Sequence, residues 1–353
     1  MRIAKTAALL ALLAIAIVFP LVFSDPTTTS IAVFTLMFAA AASGWNILSG
    51  YTGYVALGHA AYFGIGAYAL ALICAHWNIP GGYMIFLLVP VAGLIAAAFA
   101  VPLGWIALRV RRHTFVVITI AMFFIAQLMA YNLRSITNGS TGLNLPIPFD
   151  WTGAFFNIPF YYVTLAILLI TIAISWWVRN SKFGLGLLAI RDDEDRALGL
   201  GVKTGVSKLT AFVISALIVG MVGALWGYFV EAVYPPSAFD ATFDVSFALM
   251  AFLGGLGTIA GPILGALILE PTYQYFILQF SDPRFSSIYL VIYGALFLVI
   301  ILLLPQGIIP TLRAYWMKYS ARRTQVQQPQ DDLVVSAPLK QDVGVEKKEG
   351  ISS

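Results

Sequence analysis

The 353-residue chain has 60% hydrophobic and only 10% charged residues, whereas a typical soluble domain carries about 25% charged residues. Folding alone could not keep so apolar a surface from water, so the composition excludes a soluble globular protein and indicates a membrane protein. The net charge is +4, but the basic residues lie between apolar runs rather than in one patch. We therefore expect a lipid bilayer as the surrounding medium and no nucleic-acid partner.

The apolar runs are long enough to cross a bilayer as helices. They have about 17–26 residues, which suits a hydrocarbon core of roughly 30 Å, and they lack the strict alternation of barrel strands. We expect an all-α polytopic membrane protein with about ten transmembrane or re-entrant helices and Gly-broken segments in both halves. The expected spans are 7–23, 31–49, 54–76, 82–107, 114–132, 160–178, 209–230, 243–258, 261–280 and 286–304.

The basic residues indicate how these spans are oriented. If the N-terminus with Arg2 and Lys5 is cytoplasmic, all but Arg134 and Arg284 of the 20 Lys and Arg residues fall in cytoplasmic segments, as the positive-inside rule requires. We therefore expect a multi-pass membrane protein with both termini in the cytoplasm. The first run has an alternative interpretation as a secretory signal peptide ending near Ser24, which would leave every later span in place.

The polar segments suggest the domain organisation. We expect a transmembrane domain over 1–318, with a periplasmic loop at 133–159 and a densely charged cytoplasmic loop at 179–208. The polar segment 319–353 is expected to be a disordered cytoplasmic tail. The single cysteine, Cys74, excludes an intrachain disulfide and a cysteine-based metal cluster.

A first glycine break follows the second apolar run. It contains Gly50, Gly53 and Gly58, and with Gly64 and Gly66 it places five glycines within 17 residues. Glycine weakens a helix and allows neighbouring backbones to approach closely. Non-helical backbone at membrane depth is tolerated only where it is buried in protein or lines a water-filled cavity. The pattern therefore predicts an interrupted helix.

A second glycine break, Gly254-Gly255-Leu256-Gly257, lies late in the chain and is followed by Gly261. Paired, interrupted apolar segments in two halves are typical of transporters built from structural repeats. The same glycines also suit tight helix packing. Both interpretations remain open.

Five polar residues lie in or beside the late and interrupted spans. His59, in the first break, either lines a pathway or has a structural role through a hydrogen bond. Glu270 lies within an apolar run, where a carboxylate is costly unless it is paired or neutral, so it is either a functional residue or an interfacial one. Glu231, Asp240 and Asp244 flank an external loop and are expected to face water or a docking partner.

The charged loop predicts a short helix. Asp192 is expected as its N-cap, with Asp195 in the capping-box position and Arg196 four residues after the cap. Gly199 or Gly201 is expected to end it. The helix is either a solvated loop element or a lever that docks on a soluble partner and transmits motion.

No lysine in the chain follows a glycine, so the chain lacks a Walker A motif. We therefore expect no catalytic residue, no metal and no cofactor on this chain. If ATP and Mg²⁺ drive its function, they are bound by separate partner chains.

Three motifs together resemble the LivM-type permeases of branched-chain amino acid ABC transporters. The first runs from Gly53 through Leu57-Gly58-His59 to Gly66-Ala67-Tyr68. The second is Ala189-Ile190-Arg191-Asp192 with Glu194, Ala197, Leu200-Gly201 and Lys208-Leu209. The third is Met250 with Gly254-Gly255-Leu256-Gly257, Gly261-Pro262 and Gly265-Ala266, and Pro305-Gln306-Gly307-Ile308 resembles the family's ending. The motifs cover about residues 44–310 at family-like spacing.

The resemblance implies a permease subunit of an ATP-driven importer that carries branched-chain, hydrophobic amino acids across the inner membrane without covalent chemistry. It implies a heterodimer with a second, LivH-like permease, two cytoplasmic ATPases and a periplasmic substrate-binding protein. The ATPase-coupling residues are then expected to be Arg191, Asp192, Glu194, Asp195, Arg196, Ala197 and Gly201. The translocation pathway is expected near Gly50, Gly53, Gly58, His59, Gly254, Gly255, Gly257 and Glu270.

Departures from the family pattern leave alternatives open. Ala56 stands where the family usually has Ser, and Ala60 where Gly is frequent, which leaves urea or short amides as alternative substrates. An alternative from another class is an ion-coupled secondary transporter. That mechanism requires several intramembrane acids, and Glu270 is nearly the only one expected.

Overall fold

The computed structural model describes residues 2–23, 25–148, 151, 154–279, 294–295, 298–299, 307–312 and 314–315. The elements named below belong to the compact unit that ends at Thr311. The helices are α1 (Arg2–Val22), α2 (Pro26–Thr52), α3 (His59–His76), α4 (Tyr83–Ala107), α5 (Arg112–Asn132), α6 (Arg134–Thr137), α7 (Ala154–Asn180), α8 (Lys182–Asp192), α9 (Glu194–Gly199), α10 (Thr204–Phe229), α11 (Pro235–Ala238), α12 (Ala241–Gly254) and α13 (Gly261–Gln279).

The predicted all-α, multi-pass membrane architecture is confirmed. Within the described residues, seven helices are long and apolar enough to cross a bilayer. The expected number of about ten is not confirmed by this, and the predicted span 286–304 lies outside the described residues except at 294–295 and 298–299. The predicted tail, 319–353, also lies outside them. Among the described residues, strand structure is limited to β1 (Leu143–Asn144) paired antiparallel with β2 (Ala232–Val233).

Two buried helices, α2 and α10, organise the core. Helix α10 packs chiefly on α3 and α4, and α2 packs on α7, α10 and α13. Backbones approach closely where small residues meet, because a Cβ on Gly66 of α3 would overlap the backbone of Gly220 in α10. Side chains of α5 such as Val117 and Leu128 are exposed and suit contact with lipid.

A proline determines how α1 attaches to the bundle. Pro20 lies inside α1 and has no N–H, so the carbonyl of Ala16 loses its intrahelical donor. The hydroxyl of Tyr161 on α7 donates to that carbonyl at 2.7 Å, and the hydroxyl of Tyr162 donates to the carbonyl of Ile17 at 3.0 Å. Two tyrosines of α7 therefore donate to backbone carbonyls in the turn before Pro20.

The two glycine breaks are real interruptions. Helix α2 ends at Thr52 and α3 begins only at His59, so the predicted span 54–76 starts five residues late. Gly53 is the C-cap residue of α2. Its φ is 72°, and its N–H donates to the backbone carbonyl of Ser49. In the second break, Gly255 and Gly257 have φ of 125° and 78°, which L side chains rarely adopt. The second break is therefore a turn between α12 and α13.

The charged loop forms two short helices, not one. Ser181 caps α8, and Asp193 caps α9 through its Oδ1, which accepts from the N–H of Arg196 at 3.0 Å. The prediction that Asp192 is the N-cap is therefore wrong. Asp192 is the last residue of α8, because the extended backbone of Asp193 (φ −156°, ψ 112°) interrupts the helix.

Candidate functional site

The two glycine breaks contact each other through a buried asparagine of α2. The Oδ1 of Asn46 accepts from the N–H of Gly257 at 2.8 Å, and its Nδ2 donates to the carbonyl of Thr258 at 2.9 Å. A Cβ on Gly50 would lie 2.9 Å from the nitrogen of Gly257. The side-chain amide of Asn46 thus satisfies the backbone N–H of Gly257 and the backbone carbonyl of Thr258. This role of Asn46 was not predicted from the sequence, although an isolated amide within an apolar run was a visible signal.

Arg191 of the charged loop reaches both breaks. Its Nη1 donates to the carbonyl of Gly50 at 2.8 Å. That carbonyl is one of the last four of α2, which have no donor within their own helix. The aliphatic part of Arg191 lies against Gly53, and its Nη1 lies where a Cβ of Gly257 would be. Arg191 therefore caps α2 and fills the space left by two glycines.

Two further arginines bind backbone carbonyls nearby. Arg179 of α7 donates from Nη1 to the carbonyl of Gly257. Arg112, at the start of α5, donates from Nη2 to the carbonyls of Ile190 and Arg191, both at 2.7 Å. We call Arg112, Arg179 and Arg191 the arginine clamp. It fixes the charged loop and the second break to the end of α2.

A partly buried ion pair holds the start of α9. The Nζ of Lys208, a residue only 4% exposed, lies 2.5 Å from Oε1 of Glu194 and donates to the hydroxyl of Tyr54 at 3.1 Å. The Tyr54 hydroxyl donates to Oε2 of Glu194. Burial would raise the pKa of Glu194, but hydrogen bonds from Lys208 and Tyr54 and the nearby cations hold it below its ordinary value. Burial, and then Glu194, raises the pKa of Tyr54, so its hydroxyl remains a donor.

The other predicted coupling residues divide between the two faces of the loop. Asp192, Asp195 and Arg196 are exposed, whereas Ala197 is buried. Gly201 is exposed and has φ 86°. Arg196 pairs with Asp193 at 2.9 Å, and 85% of its side chain is exposed, so this contact adds little stability. The loop thus presents charged side chains outward, while Arg191 and Glu194 point into the protein.

The non-helical backbone of the first break is satisfied by side chains. The indole Nε1 of Trp45 donates to the carbonyl of Ala56 at 2.8 Å, and the N–H of Ala56 donates to the hydroxyl of Ser49 at 3.3 Å. The N–H of Leu57 donates to the hydroxyl of Thr119 at 3.2 Å. These partners allow non-helical backbone to lie within an apolar bundle.

His59 and Asp244 meet at the start of α3. Oδ1 of Asp244 on α12 accepts from the N–H groups of His59 and Ala60, at 2.7 and 3.1 Å. The Nε2 of His59 lies 2.7 Å from the hydroxyl of Ser215. Asp244 is only 3% exposed, so the prediction that it faces water is wrong. The free N–H groups at the start of α3 require an acceptor there, which the local pattern around Asp244 does not reveal.

The other acids lie apart from this arrangement. Asp240 caps α12, since its Oδ1 accepts from the N–H of Thr242 at 2.8 Å, and Glu231 is exposed. Glu270 is buried in α13 and accepts from Nε2 of Gln274 at 2.8 Å. Among the hydrogen bonds of the described residues, none links Glu270 to either glycine break.

The sequence is similar to known transport permeases. The profile of the family described as "Branched-chain amino acid transport system / permease component" matches residues 27–301. The high-affinity branched-chain amino acid transport system permease protein LivM of Escherichia coli K12 is 28% identical over 332 residues, covering 86% of this chain and 75% of that one. The corresponding LivH protein of Salmonella typhimurium is 27% identical over 289 residues, covering 77% of this chain and 91% of that one. No solved structure matches the chain.

Proposed function

The chain belongs to the family of permease components of branched-chain amino acid transport systems, and we propose that it is a membrane subunit of an ATP-driven importer for branched-chain amino acids. One structural observation supports this proposal independently of family membership. Arg191, in a polar loop, donates to the carbonyl of Gly50 and lies against Gly257. A displacement of the loop would therefore act directly on both interruptions of the membrane helices.

The loop has the two faces that such a coupling element needs. The outward side chains of Asp192, Asp195 and Arg196 are exposed and can contact a soluble partner. The inward residues Arg191 and Glu194 are bonded to Gly50, Tyr54 and Lys208. In the proposed mechanism, a partner ATPase binds the outward face. ATP-driven closure of the ATPases moves the loop, and the arginine clamp moves the two glycine breaks together.

The proposed assembly contains further chains. Similarity to both LivM and LivH supports a heterodimer of this chain with a second, related permease. Two cytoplasmic ATPases would bind ATP and Mg²⁺, and a periplasmic protein would deliver the substrate. The charged loop, 179–208, and both termini would then lie in the cytoplasm, and the loop 133–159 in the periplasm. This chain would carry no enzymatic chemistry of its own.

Residues of the spans bear on two alternative functions, an ion-coupled transporter and a permease for urea or short amides. An ion-coupled transporter requires intramembrane acids that are free to bind ions, but Asp244 caps α3 and Glu270 accepts from Gln274. These bonds favour structural roles. Urea or short amides remain the alternative substrates, because Ala56 and Ala60 lie at the first break where the family commonly has other residues.

The proposal is tested by reconstituting the chain with its second permease, the ATPases and the binding protein in liposomes. We expect uptake of radiolabelled leucine that requires hydrolysable ATP on the loop side. Uptake that persists without ATP and follows a proton or sodium gradient would refute it. Labelled urea in the same vesicles distinguishes the substrate classes.

A further inference from the structure

The start of α3 is capped by a residue from another helix. Helix α3 begins at His59, and its N-cap position is Gly58, which has no side chain to accept from the free N–H groups. Oδ1 of Asp244, which lies 185 residues after His59, accepts instead from the backbone N–H groups of His59 and Ala60. We infer that Asp244 is a positioning residue that carries movement of α12 to the start of α3, an inference that rests on the proposed transport function.

Packing explains why the cap cannot be local. A Cβ on Gly58 would overlap the carbonyl of Thr119 on α5, so serine, threonine, asparagine and aspartate, the usual capping residues, do not fit there. Since the position must be glycine, the N–H groups of His59 and Ala60 depend on an acceptor from elsewhere. The α3 end of the first break is thus held by α12.

Helix α12 is therefore attached to the first-break region at two points. In the turn that follows α12, Gly257 forms hydrogen bonds with Asn46 and Arg179, and the side chain of Arg191 lies against Gly257. Asp244 lies ten residues before Gly254, or about 15 Å along the helix at 1.5 Å per residue. Because α12 is a helix of only 14 residues held at both points, we expect it to move as a unit. Movement of the loop that shifts the second break would thereby shift the start of α3.

Only one carboxyl oxygen of Asp244 is used for the cap. Oδ2 is buried and has no hydrogen-bond partner in the part of the chain that the structure describes. Asparagine at this position can keep an acceptor oxygen at the Oδ1 site, whereas leucine has a similar volume and no acceptor. The pair Asp244→Asn and Asp244→Leu therefore separates the hydrogen-bonded cap from the packing of the side chain.

The matched variants are tested in the assembled transporter in liposomes, by leucine uptake per ATP hydrolysed. With two buried N–H groups unpaired in D244L, we expect the ratio to fall roughly tenfold, while D244N stays within about threefold of the wild type. The control is Asp240→Asn at the exposed start of the same helix, which should leave the ratio unchanged. A wild-type ratio in D244L, or equal losses in D244N and D244L, would overturn the inference.

A second measurement does not depend on the folding of D244L. The ring centroids of Phe63 on α3 and Phe247 on α12 lie 6.2 Å apart, so the thiols of Phe63→Cys and Phe247→Cys, in a Cys74→Ala background, can be joined by a short crosslinker that spans the space of the two rings. Because α3 and α12 are inferred to move together, the crosslinked transporter should retain the uptake of its uncrosslinked form. Inhibition by the crosslink would refute a joint movement, although wild-type uptake in the same vesicles would still support the proposed function.

Discussion

Replacing Arg191 with methionine removes the hydrogen bond that joins the charged loop to α2 while keeping much of the aliphatic stem. Arg191 makes a charge-assisted bond of 2.8 Å to the carbonyl of Gly50, and such bonds contribute about 1.5–3 kcal/mol. Because Arg191 is only half-buried, we take the lower end, about 1.5 kcal/mol, which corresponds to roughly a tenfold change in an equilibrium constant. The Glu194–Lys208 pair is untouched, so the loop should stay folded.

The assay is simultaneous measurement of ATP hydrolysis and leucine uptake by the assembled transporter in liposomes. We expect R191M to hydrolyse ATP but to move roughly ten times less leucine per ATP, because loop movement reaches the glycine breaks less efficiently. The matched control is Arg196→Met on the outward face, where 85% of the arginine side chain is exposed and Asp193 is its ionic partner. If R191M and R196M gave the same ratio of uptake to ATP, the arginine clamp would have no part in coupling.

Three further predictions concern other parts of the molecule. Because the folded-state pKa of Glu194 lies below its ordinary value, its pair with Lys208 stabilises the protein above about pH 4.3 and is lost as the pH falls through the folded pKa. Melting in detergent from pH 7 to 3.5 should therefore show a steeper acid loss in the wild type than in Glu194→Gln, and parallel curves would contradict this. Tyr161→Phe should lower the free energy of unfolding by about 1 kcal/mol, and by less in a Pro20→Ala background, where the carbonyl of Ala16 regains an intrahelical donor; equal losses in both backgrounds would exclude this role for the proline. Gly254→Leu should abolish leucine uptake, because any side chain at this position overlaps the backbone at the start of α13, and normal uptake by a normally expressed variant would show that the close contact is incidental.

Features governed by local composition could be predicted from the sequence. The long apolar runs predicted most of the membrane helices within a few residues, and the glycines predicted both interruptions, because hydropathy and backbone freedom are properties of neighbouring residues. The shift of the α9 cap from Asp192 to Asp193 shows the limit of such rules. Either aspartate could cap a helix, and only the backbone geometry between α8 and α9 decides.

The interior polar contacts could not be predicted, because each joins residues far apart in sequence. Asp244 was expected to face water from its position near a loop, but it caps a helix 185 residues earlier. Glu194 and Arg191 were predicted as ATPase-coupling residues without internal partners, whereas both point into the protein, where Lys208 and Gly50 are their partners. Their residue types indicated polar contacts, but the partner in each case depends on how the helices pack.

The pairing of Asn46 with Gly257 and Thr258 also has a consequence for biosynthesis. About two hundred residues of chain separate the two sides, and the cap on α3 joins partners almost as distant. While the ribosome is still making the second half, the amide of Asn46 and the first N–H groups of α3 have no native partner in an apolar surrounding, where an unmet polar group is costly. The N-terminal half therefore stays incompletely packed until α12 and the turn after it have been synthesised. A chain that stops before residue 244 would leave these groups without their partners, and we expect membrane proteases to degrade it.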